Sequence, residues 1–124
     1  MQKSILIVED NKTNMRFFTD LLKRHKFKTI LSNDGSDAVE LSISEHPDLI
    51  IMDIQLPGMS GTELTRIIKN DPQTENIPII AVTAFSIDDN DYEIDEAGFD
   101  AFVAKPIKID DFIDTINRLL ETGP

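Results

Sequence analysis

Five residues far apart in the chain share one placement. Glu9 and Asp10, Asp53, Thr83 and Lys105 each close or follow a short apolar run. Their types suit phosphoryl transfer, which needs an in-line nucleophile, a cation against the equatorial oxygens and positioned donors for the charge that develops. Asp53 can act as the nucleophile, Glu9 and Asp10 as metal ligands, the Thr83 hydroxyl as donor to one phosphoryl oxygen, and the Lys105 ammonium as partner of another. Two carboxylates held about 4 Å apart repel by roughly 4 kcal/mol at an effective dielectric of about 20. Proton uptake through a raised pKa offsets that repulsion, or a divalent cation does, and an all-oxygen acidic site suits Mg2+, with Mn2+ able to substitute. Taken singly, each residue has a plain structural role: a solvated turn, a strand-end hydroxyl, a surface lysine. Their joint placement carries the functional reading.

The elements that position them follow from the same runs. Ser4 to Val8, Lys28 to Ser32, Asp48 to Asp53, Ile79 to Thr83 and Phe99 to Ala104 alternate with amphipathic segments. That order predicts an α/β domain, a doubly wound parallel sheet with helices on both faces. The first, third and fourth runs are continuously hydrophobic, as strands buried on both faces must be, whereas Lys28 to Ser32 alternates and suits an edge. In such open sheets ligands bind outside the carboxyl ends of the strands, where the five residues lie.

Met15, Phe18, Leu21 and Leu22 repeat at helical spacing, and so do Leu64, Ile67 and Ile68, so both sets predict core-facing helices. Ser60 followed by Glu63 has the capping-box pattern; Phe112, Ile116, Leu119 and Leu120 line a last helix that Gly123 and Pro124 end. A helix over Ser86 to Ala97 is the weakest expectation, because Asp88, Asp89, Asn90 and Asp91 have poor interior propensity.

Over essentially its whole length the chain resembles the receiver domains of bacterial response regulators. The resemblance rests on VEDN at Val8 to Asn11, MDIQLPGMSG at Met52 to Gly61, VTAF at Val82 to Phe85 and AKP at Ala104 to Pro106. Among these proteins it looks most like stand-alone DivK-type single-domain regulators, although hybrid-kinase receivers carry similar strings. The resemblance implies a five-stranded flavodoxin-like sheet of order 2-1-3-4-5, with residues 1–124 as one receiver domain. It implies Asp53 as phosphoacceptor and Asp10 with Asp53 as direct Mg2+ ligands. Glu9 would act mainly through a metal-bound water, and the Gln55 backbone carbonyl would complete the ligands. Thr83 and Phe102 would form the switch pair, Lys105 would contact the phosphoryl group, and the Lys105-Pro106 bond would be cis. Gln55 and Phe85 occupy the positions that influence the phosphoryl lifetime, and the bulky Phe85 leads us to expect slow hydrolysis. Phe102, lacking the hydroxyl of the tyrosine frequent at this position, should favour the buried rotamer more readily, so the unphosphorylated state is expected to sample it appreciably. The implied partners are a histidine kinase or histidine phosphotransferase and a downstream protein, with the chain a monomer or a weak phosphorylation-dependent dimer.

Three other readings fit less well. A flavin mononucleotide binder needs small hydroxyl residues after the first strand, where Glu9 and Asp10 would repel phosphate. A small-molecule hydrolase using an aspartyl phosphate usually has an acid two residues after its nucleophile, where this chain has Gln55. A degenerate receiver would lack part of the acid pocket, the threonine or the lysine. His25, near a helix end, and His46, before Pro47, have ordinary surface roles.

The 124 residues suit one compact domain, and 40% hydrophobic residues suit an autonomous fold. Absence of cysteine excludes disulfides, thiolate metal sites and cysteine nucleophiles. No apolar run is long enough for a membrane span or export signal, so a cytoplasmic setting is expected. The formal charge of −11 disfavours direct contact with nucleic acid or an anionic membrane and points to a basic partner surface. The acids of the 86–97 segment point the same way. Met1 and the absence of a linker suggest a complete protein.

Overall fold

The computed structural model describes residues 2–54, 56, 60–83 and 98–122. Its elements run β1 (Ser4–Val8), α1 (Lys12–Arg24), β2 (Lys28–Ser32), α2 (Ala38–Glu45), β3 (Leu49–Asp53), α3 (Gly61–Lys69), β4 (Ile79–Thr83), β5 (Ala101–Ala104) and α4 (Ile109–Thr122). The strands form one parallel sheet in the order β2-β1-β3-β4-β5, so β2 lies at an edge as its alternation predicts. The expected segment 86–97, with Phe85, Gln55 and Pro57, lies outside the described residues.

Alternate residues of the central strands feed two cores, because successive side chains of a strand point to opposite faces. On one face Ile5, Ile7, Ile51 and Ile80 meet Met15, Phe18 and Leu22 of α1 and Phe112 and Ile116 of α4. On the other, Leu6, Val8, Ile50, Met52 and Ile79 meet Ala38 of α2 and Leu64 and Ile68 of α3. Burial on both sides is why β1, β3 and β4 carry almost no polar residue before their last positions.

Three local expectations are corrected. Ile67 is 47% exposed, because the buried stripe of α3 runs through Gly61, Leu64, Thr65 and Ile68 and leaves Ile67 outside it. The Ser60 side chain does cap α3, but it accepts from the Thr62 amide at 3.1 Å, one residue before the partner a capping box uses. Strands β3 and β5 begin after Asp48 and Asp100, whose carboxylates accept the amides of Ser4 and Ile79 on neighbouring strands, each at 2.8 Å.

Candidate functional site

Strand register brings the five residues together in a staircase. Val8 pairs with Met52, so Glu9 lies level with Asp53; Asp53 pairs with Val82, one step before Thr83; Thr83 pairs with Ala104, one step before Lys105. Backbone bonds extend the ladder past the strands, from Ile54 to the Val82 carbonyl at 3.1 Å and from Lys105 to the Thr83 carbonyl at 2.9 Å. The site therefore sits where the order turns from β1 toward β2 on one side and β3 on the other, the usual place for a ligand in such a sheet. The Lys105-Pro106 peptide is cis.

Local sequence opens the site at two places. Asn11 caps α1 by accepting the Asn14 amide at 3.0 Å, which starts the helix directly after Glu9-Asp10 and turns its positive end toward Asp10. Gly61 begins α3 against the β3 end, its amide bonded to the Ile54 carbonyl at 3.2 Å. A β-carbon there would collide with the Asp53 carbonyl, so the close approach needs glycine.

One carboxylate oxygen from each of Glu9, Asp10 and Asp53 lies within 4.8 Å of the others. Glu9 and Asp53 are buried and Asp10 is exposed. Neither Glu9 oxygen has a hydrogen bond of good geometry, and the Lys105 ammonium stands 3.5 Å from Oε1. Burial pushes the Glu9 carboxyl up to about 7, and the adjacent Asp53 carboxylate adds to the rise. The Asn14 amide and the Lys105 ammonium oppose it. A buried carboxyl without good hydrogen bonds and beside two others has the chemistry of an oxygen-ligand cation site. The donor set fits a hard divalent ion.

Thr83 is buried at the β4 end and Lys105 partly buried over the carboxylates. Phe102 is 41% exposed, its ring edge-on to Phe99 with centroids 5.7 Å apart. Aromatic pairs of this geometry contribute about 0.5–1.5 kcal/mol beyond area burial. Asn14 was not singled out in the sequence. The available signal was a carboxamide one helical turn into α1, immediately beyond the acidic pair.

The sequence matches the family model for the response regulator receiver domain over residues 5–117. The chain belongs to that family. This receiver domain is 45% identical over 120 residues to the polar-differentiation response regulator DivK of Brucella ovis, covering 97% of this chain and 98% of that one. Among solved structures, it superposes with a TM-score of 0.90 on the receiver domain of sensor histidine kinase PA1611 from Pseudomonas aeruginosa. Identity there is 30%, with 98% of this chain and all of the other covered, and that structure has a magnesium ion coordinated in its active site cleft. The receiver domain of a histidine kinase from Syntrophus aciditrophicus is 34% identical, with a TM-score of 0.88, over 96% of this chain and 90% of that one. The chain is thus a receiver domain of two-component signalling, similar over nearly its whole length to DivK. Among its described residues no helix is long and apolar enough to cross a membrane.

Proposed function

We propose that this receiver domain, residues 1–124, takes a phosphoryl group from the phosphohistidine of a kinase or phosphotransferase onto Asp53. The observation that carries this is the meeting of Glu9, Asp10 and Asp53 under the Lys105 ammonium. An Asp53 oxygen attacks phosphorus in line, the new O–P bond forms as the P–N bond breaks, and the imidazole leaves on the far side. Asp10, Asp53 and the Gln55 carbonyl would hold Mg2+, with Glu9 acting through a water, and the ion would supply positive charge to the phosphoryl group. Thr83 donates its hydroxyl to one phosphoryl oxygen and Lys105 pairs with another.

The acyl phosphate carries a charge of about −1.5 to −2 in place of the single charge of the carboxylate, which draws Thr83 inward and lets the Phe102 ring leave Phe99 for the space vacated. The surface formed by segment 86–97, β5 and α4 then changes for a downstream protein, with no direct nucleic acid or membrane contact. Gln55 and Phe85 set how long the group survives by controlling water access, and the protein works in the cytoplasm as a monomer or weak dimer.

The test is incubation with phosphoramidate and Mg2+, read by intact mass. Wild type should gain one phosphoryl group and Asp53→Asn none. An adduct on both proteins, or on neither even with a cognate kinase, would sink the proposal.

A further inference from the structure

One edge of the sheet is open at a basic corner of the molecule. Strand β2 pairs with β1 alone. The Lys28 amide donates to the Lys3 carbonyl at 2.9 Å and the Ser32 carbonyl accepts from the Glu9 amide at 3.1 Å, so Lys28, Ile30 and Ser32 turn their backbone groups toward β1. Backbone direction alternates along a strand. The N–H and C=O groups of Thr29 and Leu31 therefore point away from the sheet, where no described residue bonds them. Leu31 is in register with Ile7 and shares the face that α1 covers, yet it is 44% exposed. Lys23, Lys26 and Lys28 gather at the start of the strand, the Lys26 amide turning back to the Lys23 carbonyl at 3.0 Å. All three are exposed, and none forms an ion pair among the described residues.

We propose that the β2 edge takes up an extended acidic segment of another protein as a sixth strand, running antiparallel to β2. The inference does not rest on phosphoryl transfer to Asp53. Edges closed to other chains carry charge or proline along them, whereas the two residues whose backbone faces outward here are a threonine and a leucine. Main-chain bonds to Thr29 and Leu31 supply affinity, and the flanking side chains supply specificity. Antiparallel pairing is the more stable per residue, and an antiparallel edge strand on an otherwise parallel sheet is common. Leu31 and Lys28 lie on opposite faces and about 10 Å apart along the strand. The segment that fits carries an apolar residue opposite Leu31 and, about three residues later, acids opposite Lys28 and Lys26. Charge selects this edge over the other: β5 begins after Asp100 and follows the six acids of residues 86–97, which repel such a segment. The basic partner surface suggested by the net charge applies to other faces of the molecule, not to this one.

The probe is a blocked, fluorescein-labelled peptide in which alternating Thr and Val residues precede alternating Asp and Glu residues. Its anisotropy should rise with added protein at low salt, and its affinity should fall as salt is added. In hydrogen exchange at saturation the Thr29 and Leu31 amides should slow at least fivefold, while those of Lys28 and Ile30, already bonded within the sheet, change less than twofold. Methylating the peptide nitrogens that face β2 should weaken binding at least tenfold. That arm leaves the protein untouched, so it does not depend on the folding of a variant. Lys26→Glu with Lys28→Glu should weaken binding at least tenfold and flatten the salt dependence, Lys26→Gln with Lys28→Gln less so, and Leu31→Asp about fivefold. Absence of binding, binding indifferent to methylation, or protection that fails to alternate along β2 overturns the proposal. Protection of Thr29 and Leu31 that appears without peptide and grows with protein concentration assigns the edge to a second copy, and overturns it as well.

Discussion

Aspartates and glutamates sit at both ends of this sheet, and the two ends use them in opposite ways. At the ends where β3 and β5 begin, each carboxylate is satisfied. Asp48 accepts from the Ser4 amide, and one Asp100 oxygen accepts from the Ile79 amide and from Lys69 Nζ at 2.9 Å. At the ends where β1 and β3 finish, Glu9 is buried without good hydrogen bonds, beside Asp10 and Asp53 and under a lysine 3.5 Å away. The first pole uses charge to tie strands together. The second holds a buried glutamate whose charged form burial disfavours, beside two further carboxylates, which suits a site completed by a cation and a phosphoryl group.

Removing a carboxylate should therefore have opposite signs at the two poles, and the largest effect is expected at Glu9. Its folded-state value of about 7 lies above the ordinary 4.5. Below pH 4.5 both folded and unfolded chains are protonated and no cost arises. Between 4.5 and 7 the unfolded chain loses its proton first, so the folded state binds more protons and metal-free stability falls as pH rises. Above 7 the cost is constant, about 3 kcal/mol. Glu9→Gln should therefore stabilise the metal-free protein by up to about 3 kcal/mol at pH 8 and leave it unchanged at pH 4. Urea unfolding of both proteins across that range is the measurement, and a difference independent of pH would break the comparison. Saturating Mg2+, at about 100 times its Kd, should return about 2.7 kcal/mol to wild type and much less to Glu9→Gln.

Asp100→Ala should act in the other direction, costing about 2 kcal/mol whether or not Mg2+ is present. A charge-assisted bond to a backbone amide contributes about 1.5–3 kcal/mol, and partial solvent exposure of Asp100 reduces the share of its ion pair. Thermal unfolding of Asp100→Ala, Lys69→Met and the double variant would isolate the pair. Strict additivity would show that Lys69 and Asp100 do not act together.

The contrast between the poles also marks what the sequence could carry. Strands β1, β3 and β4 were legible because burial on both faces forces unbroken apolar runs, and the five site residues were legible because parallel strands finish at one edge. Asp48 and Asp100 were assigned to strands because nothing local distinguishes a carboxylate that pairs within a ladder from one that replaces a rung. The difference lies in the register of the neighbouring strand. Ile67 misled for a similar reason: helical spacing fixes a stripe's period but not its edges, and Thr65 filled the buried place. Net charge concealed the basic corner where α1 ends and β2 begins, because a sum discards position.

The smallest effect sharpens the comparison most, because it asks whether a single tie at the satisfied pole is measurable. Ser4 opens β1, and its amide meets Asp48 Oδ2 at 2.8 Å while its hydroxyl is 3.4 Å from the same oxygen. Both residues are only half-buried, so water replaces part of what is lost, and Asp48→Ala should cost about 1 kcal/mol. Asp48→Asn keeps a carbonyl acceptor and should cost about half as much. Hydrogen exchange at Ser4 should quicken in both variants, in the same order, with Asp53 phosphorylation unaffected. Unchanged exchange in Asp48→Ala would mean that the strand start is held by the backbone ladder alone, and that the basal carboxylates are not the counterpart of the acidic pocket.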